Sequence, residues 1–296
     1  MKKIVLFFLL CTFCVLQSKS QVNKIKHVVL IGFDGFGAYS VPDADMPVLK
    51  QLMSTGSWSL KARSVLPSSS AVNWASMLMG AGPTLHGYTE WDSKTPEIPS
   101  AITNEYGIFP GIFGLLREQK PQYKSAVIYH WGGIGYLFEK KAVDFVVHDE
   151  KANDDFFADT AAAIIKKEKP GLTFIHLDEP DGVGHNIGHR TPEYYEELKR
   201  VDRRIGTIVQ SVKDAGIENE TIIIISADHG GKDKGHGGKS LDEVLIPWVI
   251  CGPNIKANHE IKDVIITYDT AATIAYILGL KIPKAWRGKA VMSVFK

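Results

Sequence analysis

The sequence predicts an α/β fold, a mostly parallel sheet covered by helices on both faces. Its short apolar runs, rich in β-branched residues, are continuous rather than alternating, as in strands buried on both sides. Between them lie longer stretches with helical periodicity, and strand alternating with helix marks a parallel sheet with crossover helices. Ionisable residues gather directly after several of the runs, and active sites in such sheets lie at the carboxyl ends of strands.

Taken in order, the first strand is expected over residues 27–32 (HVVLIG), followed by a helical pattern over 46–55. Three serines, Ser68, Ser69 and Ser70, then lead through Asn73 into an apolar helix over 74–79. The stretch 88–106 is polar, carries aromatics and lacks a period, so it reads as a loop over the end of the sheet. A helix over 109–118 and strands over 126–129 and 145–147 come next. A helix over 155–167 leads to a strand over 173–177, and a long helix over 192–213 to the isoleucine-rich strand 221–225. A last helix is expected over 269–278. The chain shows no repeat, low-complexity tract or linker, so residues 21–296 read as a single domain.

Residues 1–20 read as a secretory signal peptide. Lys2 and Lys3 precede an apolar stretch over 4–16, and Ser18-Lys19-Ser20 forms a small-residue cleavage pattern before Gln21. The apolar stretch is short for a membrane span, so export to the periplasm or medium is expected rather than stable membrane insertion. Of the three cysteines, Cys11 and Cys14 lie in that segment, which leaves Cys251 without an intramolecular partner. Stability must therefore come from the core or from metals. With 34 basic against 33 acidic side chains, the chain lacks the charge excess of a nucleic-acid binder.

Three strand ends carry the chemistry. Asp34 follows the first strand, Asp178, Asp181 and His185 follow the strand 173–177, and Asp228, His229 and then His236 follow the strand 221–225. Singly, each has an ordinary reading as a cap, a turn residue or a solvated pair. Together they deliver imidazole and carboxylate, with no thiolate, to one edge of one sheet. That donor set suits Zn²⁺ or a similar first-row ion rather than Ca²⁺ or Mg²⁺. Three histidines and three aspartates exceed the needs of one tetrahedral ion, so two divalent ions about 4 Å apart are expected. A serine hydroxyl at the start of the helix after Ser70 would face backbone N–H groups that favour a phosphate, although serine is also a common helix cap.

These motifs, in order, resemble the alkaline phosphatase superfamily, in particular its type I phosphodiesterase/nucleotide pyrophosphatase branch. The matching pieces are Gly32-Phe33-Asp34-Gly35, the serine segment with Asn73, Gly80 and His86-Gly87, Asp181 with His185, and Asp228-His229-Gly230. Tyr268-Asp269-Thr270 and Trp286-Arg287-Gly288 extend the resemblance into the tail. It implies an alkaline-phosphatase-like three-layer sandwich and a two-metal hydrolase of small-molecule phosphate esters working through a phosphoserine. One ion would take Asp34, Asp228, His229 and the Ser70 hydroxyl, the other Asp181, His185 and His236, with His259 as competitor for the last place. Ser70 is the nucleophile by its spacing to Asn73, although the branch usually has threonine there. Asn73 and the backbone amides after Ser70 are implied to hold the non-bridging phosphate oxygens. Trp91 stands where the branch commonly has an asparagine, which leaves nucleotide specificity open. No arginine occupies a motif position, Arg63 and Arg190 being near only in sequence, and this favours a diester or pyrophosphate bond over a monoester. The other activities of the superfamily are a phosphomonoesterase, a phosphonate hydrolase, a phosphomutase and a sulfatase; the last lacks its C/S-x-P-x-R pattern. A non-catalytic binding protein on the same scaffold would be expected to lose ligands, and every motif ligand is present.

Overall fold

The computed structural model describes residues 25–296, so the expected signal peptide lies outside the described residues. One eight-stranded sheet organises the chain, in the order β4-β3-β5-β1-β6-β7-β2-β8. The strands are β1 (His27–Phe33), β2 (Ser57–Arg63), β3 (Ser125–Tyr129), β4 (Phe145–Val147), β5 (Leu172–Leu177), β6 (Thr221–Ala227), β7 (Leu245–Cys251) and β8 (His259–Glu260). The five strands legible in the sequence form one parallel block, β4-β3-β5-β1-β6. Every residue of β1, β5 and β6 is buried, which is why these segments read as unbroken apolar runs.

The α-helices longer than four residues are α1 (Pro47–Thr55), α2 (Ser70–Met79), α3 (Ile112–Gln119), α4 (Asp154–Glu168), α5 (Asp181–Asn186), α6 (Pro192–Asp214) and α7 (Asp269–Ile277). Of these, α1, α4 and α6 pack together in one layer, and α2, α3 and α7 in the other. The result is the expected three-layer arrangement. No helix among the described residues is long and apolar enough to cross a membrane.

Three strands were not legible. In β2, the side chains turned inward are Ser57, Ser59 and Ala62, while Trp58 and Leu60 are only half-buried, so the alternation carries no apolar signal. β7 contains Pro247, which argues against a strand because it cannot donate to a ladder. The register explains the exception. Ser59 pairs with Trp248 and Ala62 with Ile246, so Leu60 and Lys61 bulge opposite Pro247, where no proline N–H is required. β7 runs antiparallel to both β6 and β2 and so departs from an all-parallel sheet. β8 has only two residues.

Packing around α2 sets the nucleophile segment. A Cβ at Gly32 would lie 2.5 Å from Trp74 Cη2, so the glycine is what allows the indole to sit against β1. At the other end of α2, Gly80 O accepts the N–H groups of Arg287 and Gly288, which ties the tail motif to this helix. His86 Nε2 contacts Ser76 Oγ at 2.9 Å and its Nδ1 accepts from Tyr88 N, so the His86-Gly87 motif pins the following loop. That loop, over 88–106, contains no helix or strand and brings Trp91, Asp92 and Lys94 to the edge of a cavity beside Asp178.

Candidate metal centre

The carboxyl ends of β1, β5 and β6 are adjacent, and they bring together the residues that the sequence places after each. Asp34, Asp228 and His229 form one group of ligand atoms within 4.8 Å of one another, and Asp181, His185 and His236 form a second. His259 lies in β8 at the far edge of the sheet, so the competitor for the last position is remote. Gly35 lets the groups converge. Its φ is +65°, and a Cβ there would stand 2.5 Å from Asp181 Oδ1, so only glycine lets the loop after β1 pass this carboxylate.

In the first group, His229 Nε2 lies 3.3 Å from Asp34 Oδ1, 3.2 Å from Asp228 Oδ2 and 3.3 Å from Ser70 Oγ. Its Nδ1 donates to the carbonyl of Gly230 at 2.7 Å. With Nδ1 engaged by that carbonyl, the ring turns its Nε2 towards two carboxylates. Such an arrangement fits a cation between them. The other histidines repeat the pattern, with His185 Nδ1 on Lys234 O at 3.0 Å and His236 Nδ1 on Ser68 O at 3.2 Å. In each case a backbone carbonyl holds one nitrogen and leaves Nε2 available, the usual second-layer support of a ligating histidine.

The carboxylates tell the same story from the other side. Asp34 Oδ1, Asp181 Oδ1 and Asp228 Oδ2 are buried and have no hydrogen-bond partner. Burial, followed by repulsion from Asp34 and Asp181, pushes the Asp228 carboxyl well above its usual range. Burial also opposes the charge on Asp34, yet the hydrogen bond from His176 and the nearby His229 outweigh it and hold this carboxyl down to about 2. The Asp181 carboxylate raises His185 to about 9. Orphaned carboxylate oxygens facing anchored imidazoles fit divalent cations, because a cation removes each of these costs at once.

The three serines separate cleanly. Ser68 Oγ donates to Gly238 O at 2.7 Å and belongs to the loop. Ser69 is the cap residue of α2 but makes no side-chain cap bond. Ser70 opens the helix, and its Oγ alone of the three stands beside His229.

Asn73 departs from expectation. It is fully buried, its Oδ1 accepts from Val65 N at 2.7 Å, and its Nδ2 donates to the carbonyls of Val65, Pro67 and Ser69. The amide is consumed in holding the serine segment, its Nδ2 being shared among three backbone carbonyls. The first backbone amide after Ser70 is also spent, since Ala71 N donates to Trp91 O at 3.0 Å. Asn73→Ala is therefore expected to destabilise the fold by about 2–4 kcal/mol through lost hydrogen bonds. Denaturant unfolding measures this, and an unchanged midpoint with weakened phosphate binding would return Asn73 to the phosphate.

His176 and Asp178 were not assigned a role from the sequence, yet with Asp34 they form a third close group. His176 Nε2 is 3.3 Å from Asp34 Oδ2, the oxygen that also accepts from Trp74 Nε1 at 3.2 Å. Trp74 is thus both a core residue and an orienting donor. The signal available was position alone, at the carboxyl end of β5. Arg190 is paired with Asp242 at 2.7 Å and stacks over Tyr39, and Arg63 is an exposed residue of β2.

Two cavities border candidate ligand residues and share Trp91, which is 59% exposed. One, of about 580 Å³, is bordered by Asp178, Trp131 and Tyr136. The other, of about 610 Å³, is bordered by Ser69, His185 and His236.

Carboxylates and anchored imidazoles at one edge of a doubly covered sheet, with a helix-borne serine among them, define an alkaline-phosphatase-like protein. A model of the type I phosphodiesterase / nucleotide pyrophosphatase family matches residues 28–245, and the chain belongs to that family. It is 24% identical over 230 residues to human ectonucleotide pyrophosphatase/phosphodiesterase family member 7, covering 72% of this chain and 49% of that protein. It is 33% identical over 151 residues to a phosphopentomutase of Alkaliphilus metalliredigens, covering 50% of this chain and 36% of that protein. This chain therefore spans half or less of the length of these curated relatives. The solved structure of human ectonucleotide pyrophosphatase / phosphodiesterase 5 superimposes with a TM-score of 0.74 at 14% identity, over 91% of this chain and 100% of that one.

Proposed function

We propose that the chain is an exported phosphodiesterase that holds two divalent ions, Zn²⁺ by donor chemistry, and acts through a phosphoserine at Ser70. The observation that carries this reading is the presence of two separate cavities beside the candidate ligands, one bordered by Asp178 and the other by Ser69, His185 and His236. A phosphodiester places one organic group on each side of phosphorus, whereas a monoester needs only one such pocket. Export rests on the reading of residues 1–20 as a signal peptide.

Bound between Asp34, Asp228 and His229 and between Asp181, His185 and His236, the ions would make the Ser70 hydroxyl acidic and offset charge on the departing oxygen. The chain's own residues do the rest. The first turn of α2 holds Ser70 Oγ beside the first ligand group. Attack by Oγ forms the Oγ–P bond while the bond from phosphorus to the leaving oxygen breaks. The leaving group departs towards the cavity bordered by His185 and His236. Water then cleaves Oγ–P and restores the serine. Asn73 serves as a positioning residue, through the segment it holds.

The test is a comparison of p-nitrophenyl phosphate with its bis ester on the metal-loaded protein. The bis ester is expected to have the higher kcat/KM by about tenfold or more, the scale set by a few kcal/mol of added binding in a second pocket. A preference for the monoester would overturn the diester reading and favour a phosphomonoesterase on the same centre.

A further inference from the structure

The row of strand-end residues does not stop at the metal ligands. In the order β3-β5-β1-β6, the residue after β3 is His130, and its N–H reaches the carbonyl of His176. Two strand spacings separate β3 from β1, about 10 Å. His130 is therefore too far along the row to share the ions of Asp34, but well placed for a group attached to the phosphorus. Its Nδ1 donates to Asp154 Oδ1 at 2.7 Å. Asp154 is almost fully buried and also accepts from the N–H groups of Asp178 and Glu179. The carboxylate fixes the ring and leaves Nε2 as the atom that His130 can offer to the cavity it borders.

That cavity has an unusual balance. Trp91, Trp131 and Tyr136 supply flat apolar faces, and Trp91 and Tyr136 are 59% and 45% exposed. Lys94 and Lys140 supply donors, and the Lys140 ammonium extends over the Tyr136 ring at 5.7 Å. Asp92, Glu150 and Asp178 supply acceptors. With three carboxylates, two ammonium ions and the imidazoles of His130 and His148 on its walls, the cavity is mixed in charge and gives neither an anion nor a cation a one-sided field. A plain hydrocarbon group would strip water from all these side chains without replacing its hydrogen bonds. A polyhydroxylated ring satisfies every wall, since each hydroxyl both donates and accepts and the C–H face of the ring lies on an aromatic surface.

We propose that this cavity binds a sugar or cyclitol ring esterified to the scissile phosphate, with His130, oriented by Asp154, hydrogen-bonding one of its hydroxyls. The proposal rests on the diesterase reading and names the retained half of the substrate. It also gives the departure at Trp91 a purpose, as a stacking wall in place of a polar side chain.

The experiment uses the metal-loaded protein and a set of p-nitrophenyl phosphodiesters with one leaving group and different second esters: phenyl, thymidine 5′ and glucose 6. The glucose ester is expected to have the highest kcat/KM. His130→Ala is expected to lower its kcat/KM about tenfold, mainly through KM, the scale of one lost hydrogen bond. The phenyl ester should be nearly unaffected, and His130→Gln should recover part of the loss. A phenyl or thymidine ester better than the glucose ester overturns the proposal, and so does an equal loss on all esters in His130→Ala. If no diester is turned over, the diesterase reading fails. The ring site is then read by tryptophan fluorescence on titration with methyl glucose 6-phosphate, where a saturable change reduced in His130→Ala supports it and no change overturns it.

Discussion

Ser70→Ala is expected to reduce kcat by roughly 10⁴-fold or more while the protein keeps its divalent ions. Loss of a nucleophile that forms a covalent intermediate removes the reaction path, and such losses are of this order or larger. Metal should be retained because Asp34, Asp228 and His229 remain, and metal analysis beside the rate measurement separates the two effects. Ser54→Ala is the control, since Ser54 is an exposed residue near the end of α1 and its loss should change the rate little. Mass spectrometry of acid-quenched wild-type protein should find phosphate on the peptide carrying Ser70. A Ser70→Ala protein with undiminished turnover would move the nucleophile elsewhere.

Removing the divalent ions should abolish turnover and lower the melting temperature, and adding Zn²⁺ back should restore both. At free metal a hundredfold above the dissociation constant, each bound ion stabilises the fold by about 2.7 kcal/mol. The metal-free state also retains buried carboxylate oxygens on Asp34, Asp181 and Asp228 without hydrogen-bond partners. This makes the response to Asp228→Asn change sign. Without metal, the variant should melt higher than wild type, because it removes a charge opposed by burial and by Asp34 and Asp181. With metal, it should melt lower, because a ligand is lost. A metal-free wild-type protein with full activity would refute the centre. A variant less stable than wild type in both states would show that Asp228 acts only through ordinary packing.

Much of this was legible before folding because its causes are local. Asp34, Asp181, Asp228 and His229 stand within a few residues of strand ends, and a strand buried on both faces announces itself as an unbroken apolar run. His236 was legible only as the nearer of two histidines, and the six-residue loop from 230 to 235 returns it to the centre. β2 and β7 were not legible, because inward serines and a proline opposite a bulge invert the usual signals. Trp74 is a core residue with its indole N–H on Asp34, a contact that nothing in its local sequence announces.

The sequence by itself determined the fold class and which strand ends carry the candidate ligand residues, since these follow from composition and spacing along the chain. Only the tertiary structure decided what Asn73 bonds to, which serine meets His229, and that His130 and Trp91 border the same cavity. Those depend on strand order and on which backbone groups come within about 3 Å of a side chain. Hydrophobic periodicity shows which face of a strand is buried, but not which strand will lie beside it.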